Sequence, residues 1–351
     1  MTYFLRNGNT YAVTDEANVD IHTHLPVGNY MLKQDAFGNF LLEQIESFAA
    51  PSKIYGNTMR NADRILRTFN SRDNSTGVML NGEKGSGKTL LAKMLAIEGA
   101  DQNIPCIVIN APWHGDKFNK LIQSISQPCI VLFDEFEKVY SPEQQESILT
   151  LLDGVFPSKK LFVLTCNDKW RVDRHMRNRP GRIFYMLDFK GLDIDFIREY
   201  CEDNLINQQY TKQVCQISAL FSDFNFDMLK ALVEEMNRYG ETAQEAMQML
   251  NAKPEFSESK RYNINFTVNG QPIKTHSSTW GGNPLQQHVN VDWSEVSEED
   301  DSDDDYNEMQ FEVTDLAKVD ADSGSFTFRK DNAVLTLTKV PEKDFNYWRA
   351  F

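Results

Sequence analysis

Gly82-Glu83-Lys84-Gly85-Ser86-Gly87-Lys88-Thr89 is the stretch on which the fold turns: the strand-like run Gly77-Val78-Met79-Leu80 precedes it and a helical pattern, Lys88 to Ala100, follows it. Gly82 and Gly87 permit backbone conformations and a close approach that a side chain would block, so successive N–H groups can point at phosphate oxygens. The lysine of this pattern, Lys88, reaches the β- and γ-phosphates, and the hydroxyl of Thr89 ligates magnesium. Strand before and helix after are the context that gives the pattern its meaning, because the helix N-terminus adds its own favourable field for an anion. The segment from Gly82 to Leu90 is therefore the candidate phosphate site, with ATP and Mg2+ as the ligands it implies.

Outward from this loop the chain alternates apolar runs with helical stretches. The runs are Val78–Leu80, Cys106–Ile109, Ile130–Phe133, Leu161–Thr165 and Ile183–Leu187; the helical stretches are Thr58–Asn70, Lys88–Ala100, Asp116–Ile125 and Pro142–Leu152. That order predicts an α/β fold, a parallel sheet with helices on both faces. One apolar run, Cys129-Ile130-Val131-Leu132-Phe133, ends in Asp134 and Glu135. Downstream of a phosphate loop, such a pair supplies a metal-holding carboxylate, Asp134, and a general base for an attacking water, Glu135.

The flanks read differently. Residues 1–50 are short β-segments around turns, a β-rich N-terminal piece, and 51–190 form the α/β subdomain. Residues 191–253 follow helical spacing, as a helical lid, over Ile194–Leu205, Lys212–Leu220, Phe226–Tyr239 and Thr242–Leu250. From 254 to 351 the chain is β-like again, with an acidic run at 292–308. That run holds ten of the carboxylates behind a net charge of -15, so the remainder carries only -5. Like charges at this density repel and bury nothing, which predicts disorder there.

Five cysteines are scattered without disulfide or metal spacing, a reduced usage that points to a cytoplasmic protein. No run approaches the roughly 18 apolar residues of a membrane helix, and the N-terminus lacks a secretory leader pattern. His22 and His24 have no third ligand nearby and receive no role.

Over about Ile54 to Leu250 the chain resembles the AAA+ ATPase superfamily, and within it the AAA clade. Leu161–Thr165 followed by Cys166-Asn167-Asp168 resembles the strand and polar tip called sensor 1, which implies that Asn167 orients the lytic water. Arg179-Pro180-Gly181-Arg182 matches the pattern that supplies arginine fingers to a neighbouring subunit, so Arg179 and Arg182 are both nominated. Leu151-Leu152-Asp153-Gly154 resembles the usual ending of the helix after the acidic pair. Ile54-Tyr55-Gly56 stands where family members pack a linker against the adenine, making Tyr55 and Gly56 candidates, although a simple turn before a helix would read the same. The clade commonly lacks a lid arginine, and Phe226-Asp227-Met228-Leu229 offers none. Trp113-His114-Gly115 falls where peptide-translocating members carry a pore loop that grips substrate. A tryptophan filling a local core gap would look the same in sequence.

The resemblance implies magnesium-dependent ATP hydrolysis in a ring-shaped homo-oligomer, hexameric in this clade, with arginines acting in trans. The expected use of the energy is remodelling or translocation of a protein substrate or assembly. Two other classes are compatible with such a core: a nucleic-acid motor or helicase and clamp loader, and a nucleotide-gated assembly platform. The pI near 4.9 and the absence of a basic, aromatic-rich tail weigh against nucleic acid. The succession of a β-rich piece, an ATPase core and an acidic β-rich tail is also similar to that of uncharacterised ATPases of tailed bacteriophages, which would place the chain in a host cytoplasm.

Overall fold

A computed structural model describes residues 3–7, 10–14, 22–153, 159–177, 179–189, 191–219, 221, 224–251, 261–285, 287–295, 305–320 and 323–340. The chain divides into two compact units, Met1–Gly82 with Lys88–Asp188, and Glu83–Gly87 with Phe189–Phe351.

The first unit opens with an antiparallel hairpin, β1 (Tyr3–Asn7) and β2 (Thr10–Thr14). Next come β3 (Asn29–Gln34), β4 (Phe40–Ile45), α1 (Thr58–Ser71), β5 (Thr76–Gly82), α2 (Lys88–Asp101), β6 (Cys106–Ile109) and α3 (Asp116–Ser124). It continues through β7 (Cys129–Phe133), α4 (Phe136–Val139), α5 (Pro142–Leu152), β8 (Lys160–Cys166), α6 (Arg174–Arg177) and β9 (Tyr185–Phe189). One sheet joins seven of the strands in the order β4-β3-β6-β7-β8-β5-β9. β3, β6, β7, β8 and β5 run parallel, so all their C-terminal ends lie on one edge.

Every residue of β7 and β8 is buried, although successive side chains point to opposite faces, so both faces of the sheet are covered. α2 packs on the central strands and against α1, and α3 packs against α5. The apolar core between them includes Phe118, Phe133, Phe136, Phe162 and Leu164. Gly77 of β5 is required by close approach: a Cβ there would lie 2.0 Å from the backbone oxygen of Arg182, and the N–H of Phe184 donates to Gly77 O at 2.8 Å. Lys160 is buried in β8 because its ammonium donates to Ile125 O (2.7 Å) and Gln127 O (3.2 Å), and desolvation lowers its pKa.

The β-rich N-terminal piece does not stand apart along its whole length. β3 pairs with β6, and β4 pairs antiparallel with β3, so residues 29–45 extend the central sheet across the expected boundary at 50/51. Tyr30 and Leu32 are buried on this strand, which is burial that an isolated hairpin could not provide.

In the second unit the lid is built from α7 (Ile194–Asn204), α8 (Thr211–Ser218), α9 (Phe226–Tyr239) and α10 (Ala243–Met249). Asp193, Asn225 and Thr242 each cap a helix with a side-chain oxygen, and Gly240 closes α9 in the left-handed region. Eight strands follow: β10 (Arg261–Val268), β11 (Gln271–Ile273), β12 (Thr279–Gly281), β13 (Val289–Glu295), β14 (Asp305–Phe311), β15 (Leu316–Asp320), β16 (Ser325–Lys330) and β17 (Ala333–Lys339). Six form an antiparallel sheet, β11-β10-β17-β16-β15 with β12 beside β10, and β13 and β14 pair as a hairpin.

The acidic run expected to be disordered over 292–308 starts and ends inside that hairpin, with Asp292 opposite Glu308 and Glu295 opposite Asp305. Alternation accounts for Asp292 and Glu308: Val289, Val291, Trp293 and Phe311 are buried on one face of the hairpin, so these two carboxylates, at intervening positions, fall on the other face. Positions 296–304 lie outside the described residues.

Candidate functional site

The loop between β5 and α2 changes direction through glycines that adopt positive φ, +79° at Gly85 and +100° at Gly87. A Cβ on Gly85 would also lie 2.8 Å from Asp227 Oδ2, and Gly85 O accepts from the N–H of Phe226 at the start of α9 (3.1 Å). The Ser86 hydroxyl is buried and has no hydrogen-bond partner among the described residues. Glu83 and Lys84 are exposed at the tip, whereas Leu90 is half-buried. Lys88 begins α2, is 7% exposed, and turns its ammonium onto Gly82 O at 2.5 Å. Thr89, one residue on, keeps its side chain in solvent.

At the end of β7, on the same edge of the sheet, stand Asp134 and Glu135. A neighbour from β8 organises both: the Thr165 hydroxyl donates to Asp134 Oδ1 (2.7 Å) and accepts from the N–H of Glu135 (2.9 Å). Glu135 takes left-handed backbone angles, φ 48° and ψ 46°, which cost a non-glycine residue about 1–3 kcal/mol. That geometry is held by Thr165 and by the N–H groups of Lys138 and Val139, which donate to Glu135 O at 2.8 and 3.0 Å. Its carboxylate pairs with Lys138 Nζ at 2.7 Å, a contact that raises the lysine pKa.

Asn167 follows the end of β8. Its N–H donates to Oε1 of Glu137 (3.0 Å), a carboxylate only 5% exposed. Asn81, at the end of β5, donates to Asp188 Oδ1 (2.7 Å) and accepts from the N–H of Lys169 (2.8 Å), tying the loop after Asn167 to the strand that leads into the phosphate loop. Sequence reasoning missed Thr165, Glu137 and Asn81. The one available signal was a hydroxyl at the end of an otherwise apolar strand. Lys88, Thr89, Asp134, Glu135 and Asn167 thus follow the ends of β5, β7 and β8, with β8 lying between the other two. The Thr89 hydroxyl and the Asp134 carboxylate are exposed hard oxygen donors of the kind magnesium takes, and the unpartnered Ser86 hydroxyl suits a phosphate oxygen.

The two nominated arginines differ. Arg182 is forked onto Asp153: Nε meets Oδ1, Nη2 donates to Oδ2 at 2.7 Å, and Nη1 donates to His175 O at 3.0 Å. The guanidinium holds the Asp153 carboxyl below its ordinary range. Arg179 is exposed, and its backbone oxygen accepts from the N–H groups of Arg182 (2.8 Å) and Ile183 (3.0 Å), so the turn that presents it is closed.

The loop expected to project an aromatic does not. Trp113 packs edge-on against Phe40, ring centroids 5.4 Å apart, and its indole N–H is buried without an acceptor among the described residues. Tyr140 donates its hydroxyl to Trp113 O (2.9 Å) and Ala111 O (3.2 Å), which fastens the loop from behind. The core-filling alternative describes this geometry. His114 is exposed, and Gly115 precedes α3 with φ +84°. Tyr55 is half-buried with Lys53 Nζ 4.9 Å over its ring, and Gly56 turns the chain into α1 with φ +66°.

Residues 78–189 match the model of the "ATPase family associated with various cellular activities (AAA)". A protein named as a cell division cycle ATPase in Plasmodium falciparum is 30% identical over 142 residues, 34% of this chain and 11% of that protein. Protein mac-1 of Caenorhabditis elegans is 26% identical over 147 residues, 35% of this chain and 18% of its own length. The human peroxisomal ATPase PEX1 is 29% identical over 128 residues, 31% and 10% of the two chains. The matched region is thus a small part of each of these relatives. No described helix is long and apolar enough to cross a membrane. With its parallel sheet and the acidic pair at the end of β7, this chain carries an AAA ATPase domain over residues 78–189.

Proposed function

We propose that the chain hydrolyses ATP with magnesium in a ring-shaped homo-oligomer, completes each site with Arg179 of a neighbouring copy, and spends the energy on remodelling or translocating protein. The observation that carries this is the placing of Lys88, Thr89, Asp134, Glu135 and Asn167 after three neighbouring parallel strands, with Arg179 exposed on a braced turn. Bound ATP and magnesium would supply the transferable phosphoryl group and the divalent charge that makes its transfer feasible.

The residues divide the work. The N–H groups of Gly82 to Leu90 cradle phosphate, and Lys88 leaves Gly82 O to neutralise it. Thr89 and Asp134 hold the metal, Thr165 orienting the Asp134 carboxylate. Glu135 accepts the proton of the attacking water and Asn167 holds that water in line. Tyr55 and Gly56, before α1, face the base. Arg182 is engaged with Asp153 and acts as the brace of the turn, which leaves Arg179 as the arginine that reaches a neighbour's γ-phosphoryl group.

A mixing experiment tests the shared site. Lys88→Ala copies, unable to bind, and Arg179→Ala copies, unable to donate, are each inactive alone. Mixed, they form some interfaces with both groups intact, so activity should reappear in proportion to those interfaces. Native mass spectrometry gives the ring size. Absence of recovery in mixed oligomers that demonstrably form would rule out trans action. For the use of the energy, an unfolded polypeptide should stimulate turnover; salt-sensitive stimulation by DNA or RNA instead would favour a nucleic-acid motor.

A further inference from the structure

Trp113 is tucked away, yet another aromatic projects from the edge of the sheet that carries Lys88, Asp134 and Asn167. Phe37 is 90% exposed, the highest figure for any large apolar side chain among the described residues. It stands at the tip of the β3–β4 hairpin, and β3 is parallel to β6, so the tip lies beyond the C-terminal ends of the central strands. From β3 to β7 is two strand spacings, about 10 Å.

The turn that displays Phe37 is rigidly built. Asp35 Oδ1 accepts from the N–H groups of Phe37 (2.9 Å) and Asn39 (2.8 Å), and Oδ2 accepts from Asn39 Nδ2 (3.0 Å). The N–H of Asp35 donates to Asn39 O (2.9 Å), that of Gly38 to Asp35 O (3.1 Å), and Gln34 Nε2 to Gly38 O (2.9 Å). A backbone fixed this firmly holds the ring in solvent, where its apolar surface brings no local stability. Behind the turn, packing leads back to the acidic pair. Phe40 meets Trp113, Tyr140 holds Trp113 O, and Tyr140 stacks on Phe136 at 4.9 Å, next in sequence to Glu135.

Area and charge limit what can occupy this tip. One phenylalanine buries on the order of 150–250 Å² when covered, far short of the roughly 800 Å² per partner of a lasting protein interface, so the contact is transient. Between Lys33 and Glu43 the only cation is Lys33, which is ion-paired with Glu43, and Asp35 leaves the hairpin with a net charge of -1. A phosphate backbone finds no counter-charge here; an extended polypeptide requires none.

We propose that Phe37 is the side chain with which this protein grips an extended polypeptide, and that Trp113 and Tyr140 connect the gripping hairpin to the helix that follows Glu135. This rests on the protein-remodelling reading above.

The full chain, held with a slowly hydrolysed ATP analogue, is titrated with fluorescent, reduced and carboxymethylated α-lactalbumin. Phe37→Ala should weaken binding at least about fivefold, corresponding to loss of roughly 1 kcal/mol of apolar contact; Phe37→Trp should restore it and Phe37→Leu fall between. A photocrosslinking residue at position 37 should capture the probe, and the same residue at 113 should not. If Phe37→Ala binds as tightly as the parent, or crosslinks form only from 113, the inference fails while the remodelling reading stands. If the parent chain binds no unfolded probe, both fail together. Loss of self-association, or of single-stranded DNA binding, in Phe37→Ala with probe binding retained would assign the residue to another partner and overturn the proposal.

Discussion

The central sheet and the C-terminal sheet are built from similar apolar residues, yet they distribute their polar groups in opposite ways. In β7 and β8 every position is buried, whereas β17 alternates buried and half-buried positions from Ala333 to Thr338 and ends on the exposed Lys339. A parallel sheet covered on both faces keeps polar side chains out of the middle of its strands, so they collect at or beyond the strand ends, as Lys160 does at one end of β8 and Thr165 near the other. Thr165, Asp134, Glu135 and Asn167 are therefore crowded onto one edge. The antiparallel sheet, with Ala333, Leu335 and Leu337 of β17 buried on one face, carries Thr336 and Thr338 of the same strand on the other, spread along the strand and not gathered at its end. Chemistry concentrates where burial forces polar groups to converge.

That contrast can be broken at several points. The largest expected effect is at the crowded edge: Glu135→Gln should lower turnover by up to about 10⁴-fold while nucleotide binding persists, read by phosphate release against equilibrium binding. Next, Arg179→Ala should cost on the order of 10³-fold in the assembled oligomer. Arg182→Ala should act instead through the turn, and its effect should not add to that of Asp153→Asn, because both remove one fork. The Asp153 carboxyl is depressed in the folded state, so its contribution to stability is full above the ordinary carboxylate pKa and is lost as pH falls through the lowered one. Arg182→Ala should shrink that acid-dependent loss in a pH series of thermal melts.

In the C-terminal sheet the expectation reverses. Leu337→Ala removes a fully buried side chain and should cost about 2–5 kcal/mol of stability, measured by denaturant unfolding, with basal hydrolysis unchanged. A loss of hydrolysis would show that this sheet takes part in the reaction. The smallest effect belongs to a helix start. Ser141 and Gln144 form a reciprocal capping box ahead of α5, and Ser141→Ala should cost about 1 kcal/mol without moving the nucleotide affinity.

A second contrast concerns aromatics in loops. Trp113 and Phe37 both stand beyond strand ends on the same edge of the central sheet, and only the first sits in a stretch whose pattern suggested a substrate contact. In the structure Phe40, brought in by the hairpin, covers Trp113, while among the described residues Phe37 is left 90% exposed. From sequence, the hairpin read as part of a separate piece, so this cover was invisible.

Much of the molecule was legible from near neighbours along the chain. The phosphate loop between its strand and helix, the apolar runs, the acidic pair and the four lid helices each depend on residue spacing and local backbone preference, which sequence states directly. Tertiary structure alone decided that β3 and β4 join the central sheet, that Thr165 braces both Asp134 and Glu135, and that the ends of the acidic run pair as strands. It also separated Arg182 from Arg179, three residues apart in one motif. A guanidinium is occupied or available according to whether a carboxylate 29 positions away has been packed beside it, and that depends on the whole fold.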